Sequence, residues 1–111
     1  MRIQTQEYND VTVIALEGEL ESDATEPLKK TVTDAIAKGP VGIVLDMSGV
    51  AGIDSQGLEQ LLWSRDYCND NKCEFRLAAL DENCDKILEV TRLDSQFDRY
   101  AELAQAAKSF A

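Results

Sequence analysis

The sequence predicts a single α/β domain over residues 1–111, in which a mixed four- to five-stranded sheet is packed with about four helices. Three observations carry that expectation. The chain has 111 residues, enough for one hydrophobic core and too few for a second, since a domain of this size buries roughly 60 to 70% of the surface its unfolded chain exposes. Strand-like and helix-like patterns follow one another in the order β-β-α-β-α-β-α-(β)-α, and strand-helix-strand units assemble into a sheet covered by helices. Finally, Val41-Gly42-Ile43-Val44-Leu45 is nearly continuous apolar sequence, the pattern of a central strand buried on both faces.

Residues 2–7 and 11–17 are β-favouring runs on either side of Tyr8-Asn9-Asp10, a break of hairpin length. After Gly18-Glu19-Leu20, Ser22 or Asp23 supplies a helix cap. Pro27 falls in the first turn, and Leu28, Val32, Ala35 and Ile36 recur at helical spacing until Gly39-Pro40 stops the helix. A second helix follows Ser55 and runs to about Asp70, with Leu58, Leu61 and Leu62 on it. Asn69-Asp70-Asn71 then punctuates the chain before a strand at Phe75 to Leu80. Asp81 or Asn83 caps a third helix through about Val90, with Cys84, Ile87 and Leu88 on one side. A short strand at Phe97 to Tyr100 and a last helix marked by Leu103, Ala107 and Phe110 complete the domain.

Composition narrows the function. The chain has 44% apolar and 29% charged residues, and nothing in it approaches the roughly 18 consecutive apolar residues of a membrane span. Its start, Met1-Arg2-Ile3-Gln4-Thr5-Gln6-Glu7, lacks the apolar stretch of a signal peptide, so a cytoplasmic protein without membrane insertion is expected. With no histidine, Ser-His-Asp and Cys-His catalysis are excluded, and so is the commonest general base near neutral pH. The three cysteines, Cys68, Cys73 and Cys84, are an odd set without a fourth zinc ligand, and read as reduced packing thiols. No catalytic residue, metal or cofactor is therefore expected. Twenty-one acidic against eleven basic residues give a net charge of −10, which repels nucleic acid and anionic lipid and suits a partner with a basic face. The same acidity also serves plain solubility.

One motif draws chemistry to itself. Asp54-Ser55-Gln56-Gly57 sits where the apolar strand pattern ends and the second helix begins. A hydroxyl in the first turn of a helix lies near backbone N–H groups without intrahelical partners and near the positive end of the dipole, where a phosphate gains hydrogen bonds. Gly57 removes a side chain that would crowd such a phosphate or an approaching kinase. An Asp-Ser pair before a helix is also a cap in its own right. Asp54 therefore reads either as that cap or as a carboxylate that orients Ser55 or meets the kinase, and Asp46 reads as lining the same surface from the end of the buried strand.

Together with Gly18-Glu19-Leu20-Glu21, with Val44-Leu45-Asp46-Met47-Ser48-Gly49-Val50 leading into Ile53-Asp54-Ser55-Gln56-Gly57-Leu58, and with Leu80 through Phe97, this motif makes the chain resemble the STAS family. The likeness spans nearly the whole length and is specifically to the bacterial anti-sigma factor antagonists. It implies phosphorylation at Ser55 and partner contacts at Asp54, Ser55, Gln56, Gly57, Asp46 and Glu21. The implied partners are an anti-sigma factor that is also a serine kinase with a histidine-kinase-like ATP-binding fold, and a metal-dependent serine phosphatase. The unphosphorylated protein would bind the kinase and free the sigma factor, and phosphorylation would break the complex. A monomer or weak dimer is expected.

Three positions depart from the family pattern: Gln56 stands where many active members carry Ser or Thr, Glu21 where Asp is frequent, and Arg92 where Gly often precedes Leu93-Asp94. A second class within the family, a constitutive STAS subunit of an ATPase or lipid-transport complex, is the alternative, and a hydrolase using Ser55 lacks a base. Trp63 and Tyr67, four apart on the second helix, read as a packing pair or as partner anchors.

Overall fold

The computed structural model describes residues 1–110. Five strands, Arg2–Tyr8 (β1), Val11–Leu20 (β2), Gly42–Ile53 (β3), Glu74–Ala78 (β4) and Asp98–Tyr100 (β5), form one sheet in the order β1-β2-β3-β4-β5. The first pair is an antiparallel hairpin, turned at Asn9 in the left-handed region (φ 56°), and every other pair is parallel. The helices are Thr25–Ala37 (α1), Ser55–Asp70 (α2), Glu82–Val90 (α3) and Leu103–Lys108 (α4). This is the mixed sheet with four helices that the sequence predicts.

The two faces of the sheet are covered unequally. Ile14, Leu16, Ile43, Leu45, Met47 and Leu77 point to one side, where they meet Leu28 and Val32 of α1, Leu61 of α2 and Leu88 of α3. Strand alternation sends Val11, Val13, Val44 and Ala78 to the other side, where α4 is the one helix among the described residues that covers them, through Ala106 and Leu103, with Tyr100 and Phe110 packed alongside. Phe110 lies over the Arg76 guanidinium at 3.8 Å and against Gly42, where any side chain would collide with its ring.

Several expectations shift in detail. Neither Ser22 nor Asp23 caps α1. A 3₁₀ turn at Ser22–Ala24 runs straight into the helix, which starts without a side-chain cap hydrogen bond, although Pro27 does fall in its first turn. Asp81 rather than Asn83 caps α3, accepting from the Cys84 N–H at 2.8 Å. The fourth strand stops at Ala78 instead of Leu80, because Ala79 turns into the left-handed region (φ 60°).

The largest difference concerns β3, which does not end near Leu45 but continues to Ile53. β4 accompanies it only as far as Asp46, so its second half pairs with β2 alone. Two register shifts in that stretch, between Ala15 and Glu17 and between Gly18 and Glu19, keep the two strands together up to the Leu20–Ile53 pair. The end of this pair, Gly18–Leu20 beside Val50–Ile53, is a two-stranded arm that carries the start of α2 beyond the five-stranded region.

Candidate functional site

At the tip of the arm the chain leaves β3 at Ile53 and enters α2 at Ser55. Asp54 is the helix N-cap: its backbone is extended, its side chain accepts from the Gly57 N–H at 2.8 Å, and its own carbonyl accepts the Leu58 N–H at 2.9 Å. Its N–H donates to the Leu20 carbonyl at 3.3 Å, which ties the helix start to the end of β2. The carboxylate of Asp54 thus performs the capping role open to it.

Ser55 is the first residue of the helix, and Asp54, Ser55 and Gln56 are all exposed. Among the described residues no hydrogen bond holds the Ser55 hydroxyl, so it projects from a rigid helix terminus into solvent. The N–H groups of Ser55 and Gln56 belong to the unpaired set at a helix start, and the dipole adds partial positive charge there. The site thus combines a free primary alcohol, a fixed backbone and open access.

Gly57 does something other than the sequence reading gives it. It is buried, and a Cβ there would strike the carbonyl oxygen of Leu20 and come within 2.9 Å of Ile53 Cγ2. The missing side chain makes room inward, letting the first turn of α2 lie directly on the exit of β2, and not outward for a phosphate or a kinase. Its φ is not in the left-handed region, so closeness and not backbone freedom calls for glycine here.

Glu21 joins the same end of the molecule. It follows Leu20 immediately, is exposed, and its carbonyl accepts from the Gln60 side-chain amide at 2.8 Å. Gln60 is only 3% exposed, with its Oε1 unpartnered among the described residues, and Ser64 in turn donates to the Gln60 carbonyl at 2.8 Å. The sequence reading misses Gln60, yet a signal exists: Gly57, Gln60, Leu61, Ser64 and Cys68 share the three-and-four spacing of the buried stripe of α2. A glutamine on that stripe needs a partner inside the protein.

Asp46 is not brought to this site. It lies seven residues before Ile53, roughly 20 Å along a strand that rises ~3.3 Å per residue. Its side chain also faces the α4 side of the sheet, beside Gln4, Gln6, Val13, Ala15 and Leu103, and accepts from the Ser48 N–H at 3.1 Å. The predicted cluster therefore reduces to Glu21, Asp54, Ser55 and Gln56 on the surface, with Gly57 beneath them.

Charge around the tip is one-sided. The segments 17–26 and 50–60 carry Glu17, Glu19, Glu21, Asp23, Glu26, Asp54 and Glu59 and contain no lysine or arginine. Trp63 and Tyr67 lie further along α2 with rings stacked at 5.0 Å and 9°, and Lys29 of α1 sits 5.2 Å from the Trp63 ring centre. Both rings are half-buried and pack against the main core. All three cysteines are buried and unpaired; burial, with Asp81 next to it, pushes the Cys84 thiol up to about 12. No helix is long and apolar enough to cross a membrane among the described residues.

Arg92, the departure near Leu93-Asp94, has a structural explanation. It adopts the left-handed conformation (φ 61°) just past α3, with Arg92 N–H donating to the Glu89 carbonyl at 3.0 Å and Leu93 N–H to the Leu88 carbonyl at 2.9 Å. That pair of bonds is the Schellman ending of a helix, whose left-handed position is usually glycine.

The comparisons agree with this architecture. The family model of the STAS domain matches residues 2–106, and the chain belongs to that family. A putative anti-sigma factor antagonist from Thermotoga maritima superposes with a TM-score of 0.87 at 25% identity, covering 96% of this chain and 92% of that one. The anti-sigma factor antagonist SpoIIAA of Bacillus, in its unphosphorylated form, gives 0.81 at 20% identity over 98% and 96% of the two chains. A sulfate transporter family protein from Wolinella succinogenes gives 0.80 at 18% identity over 89% and 83%. The chain is thus a single STAS domain with the fold of the anti-sigma factor antagonists, a fold that also occurs in a transporter family protein.

Proposed function

We propose that this protein is an anti-sigma factor antagonist whose binding to its partner is switched by phosphorylation of Ser55. The observation that carries the reading is the pairing of an exposed, unbonded Ser55 hydroxyl with a first helical turn fixed by Asp54 and Gly57. The partner is an anti-sigma factor that is also a serine kinase, and a metal-dependent serine phosphatase reverses the modification. The protein itself is a binding module and a kinase substrate and not a catalyst.

The physical basis of the switch is electrostatic. Phosphate adds about −1.5 to −2 charges at neutral pH. It would do so at a surface already holding Asp54 and Glu21, within segments that have no base to neutralise it. In the free domain the unpaired N–H groups of the helix start stabilise the phosphate; in a complex the same group must be desolvated against a partner, so docking weakens. A basic face on the kinase fits the unmodified site and provides faster, salt-sensitive association.

Affinity capture from native lysate, followed by addition of ATP and mapping of any phosphosite, tests partner and residue together. A captured kinase that modifies Ser55, with Ser55→Ala binding it constitutively and Ser55→Asp binding it more weakly, is the expected outcome. Copurification with a transporter ATPase and no phosphate incorporation would overturn it in favour of a constitutive subunit.

A further inference from the structure

The two edges of the sheet are defended very differently. β5 has only three residues, of which Asp98 and Arg99 are exposed and charged, and α4 packs close by. Short length and charge are the usual means by which proteins keep a sheet edge from pairing with another chain. β1 is less protected, with charge only near its ends, at Arg2 and Glu7. It runs for seven residues in unbroken register with β2, has no bulge or proline, and its central stretch Ile3-Gln4-Thr5-Gln6 is uncharged. Its backbone groups on the side away from β2 have no strand partner among the described residues.

We propose that β1 is the interface of a two-fold symmetric homodimer in which β1 pairs antiparallel with β1 of a second copy, joining the two sheets into one of ten strands. A two-fold axis through Thr5 uses every residue of the strand. Gln4 then lies opposite Gln6 of the second copy, where side-chain amides exchange hydrogen bonds, and Arg2 lies opposite Tyr8, a residue 55% exposed in the single chain. Both pairs occur twice and fall on the α4 side of the sheet, where Gln6 and Tyr8 border an apolar groove with Val13, Leu103 and Ala107.

Charge selects a second copy as the occupant. The chain carries −10 overall, yet in β1 Arg2 and Glu7 cancel. Two copies can therefore meet along this stripe without bringing net charge from the strand itself into the interface, and it is self-complementary at Arg2 and Tyr8. Residual repulsion between the two bodies makes the dimer weak at low salt and stronger as ionic strength rises. The inference is independent of the function proposed for Ser55, which lies at the tip of the β2–β3 arm.

Sedimentation equilibrium on the full chain tests it, using Thr5→Lys and Thr5→Glu. Thr5 is exposed, so both variants leave the fold intact, which circular dichroism verifies. Wild type should rise from 12.3 kDa toward twice that mass with concentration, and more readily at high salt. Each variant alone should weaken association about tenfold or more, because like charges then face each other across the axis. An equimolar mixture of the two variants should recover it. A wild type that stays at 12.3 kDa up to millimolar concentration, a dimer indifferent to both variants, or a mixture that fails to recover would each overturn the proposal. A β1 edge found paired with a strand of a different protein would do the same.

Discussion

The two ends of α2 are fastened by opposite devices. At its start the chain removes a side chain: Gly57 lets the first turn lie on the Leu20 carbonyl, and Asp54 closes the cap. At its finish the chain keeps one where it is disfavoured. Lys72 takes the left-handed conformation (φ 58°), its N–H donates to the Asn69 carbonyl at 3.2 Å, and the Cys73 N–H donates to the Cys68 carbonyl at 2.9 Å. The start has no alternative residue, since any Cβ collides with backbone; the finish tolerates strain that glycine would relieve. The difference teaches where position matters. Ser55 depends on the placement of the first turn, whereas nothing in the site leans on the geometry of the last.

The largest expected effect comes from breaking the start. Gly57→Ala puts a methyl group into the Leu20 carbonyl, so it should destabilise by roughly 1–3 kcal/mol, as overpacking does, and displace Ser55 along with the helix. Chemical denaturation with loss of partner binding checks both; a variant of unchanged stability would show that the turn can shift freely. Asp54→Ala removes one cap hydrogen bond and should cost ~1 kcal/mol, with Asp54→Asn, which can still accept from the Gly57 N–H, recovering most of it in the same assay. The smallest effect, and the one of opposite sign, belongs to the other end. Lys72→Gly should stabilise by less than ~1 kcal/mol, because relief of the left-handed strain outweighs the lost cation at a helix C-terminus. If thermal melts place Lys72→Gly below wild type, the two ends are more alike than their geometry implies.

How much of this was legible in the sequence varies with the range of the interaction. The order of elements, the second helix from Ser55 to about Asp70 and a cap at Asp81 or Asn83 follow from local periodicity and capping chemistry, which are properties of neighbouring residues. The length of β3 was not, because Ser48-Gly49 and Ala51-Gly52 break the apolar run while β2, distant in sequence, continues to pair with it. Asp46 was misplaced for that reason: at a strand end it would border the site, but in mid-strand it faces α4. Gly57 invited a local explanation, room for a phosphate, while its actual constraint is a carbonyl on another strand. Glu21 and Asp54 come together through the Leu20–Ile53 pairing, a contact between residues distant in sequence that single-residue patterns do not reveal.

In the switch proposed for Ser55, one exposed hydroxyl at the start of α2 governs docking. Calorimetric titration of the captured kinase, with nucleotide held fixed, against the unmodified protein and against the same protein phosphorylated at Ser55 measures it directly. Phosphorylation should lower affinity at least tenfold, about 1.4 kcal/mol or more. Equal affinity of the two forms would contradict it.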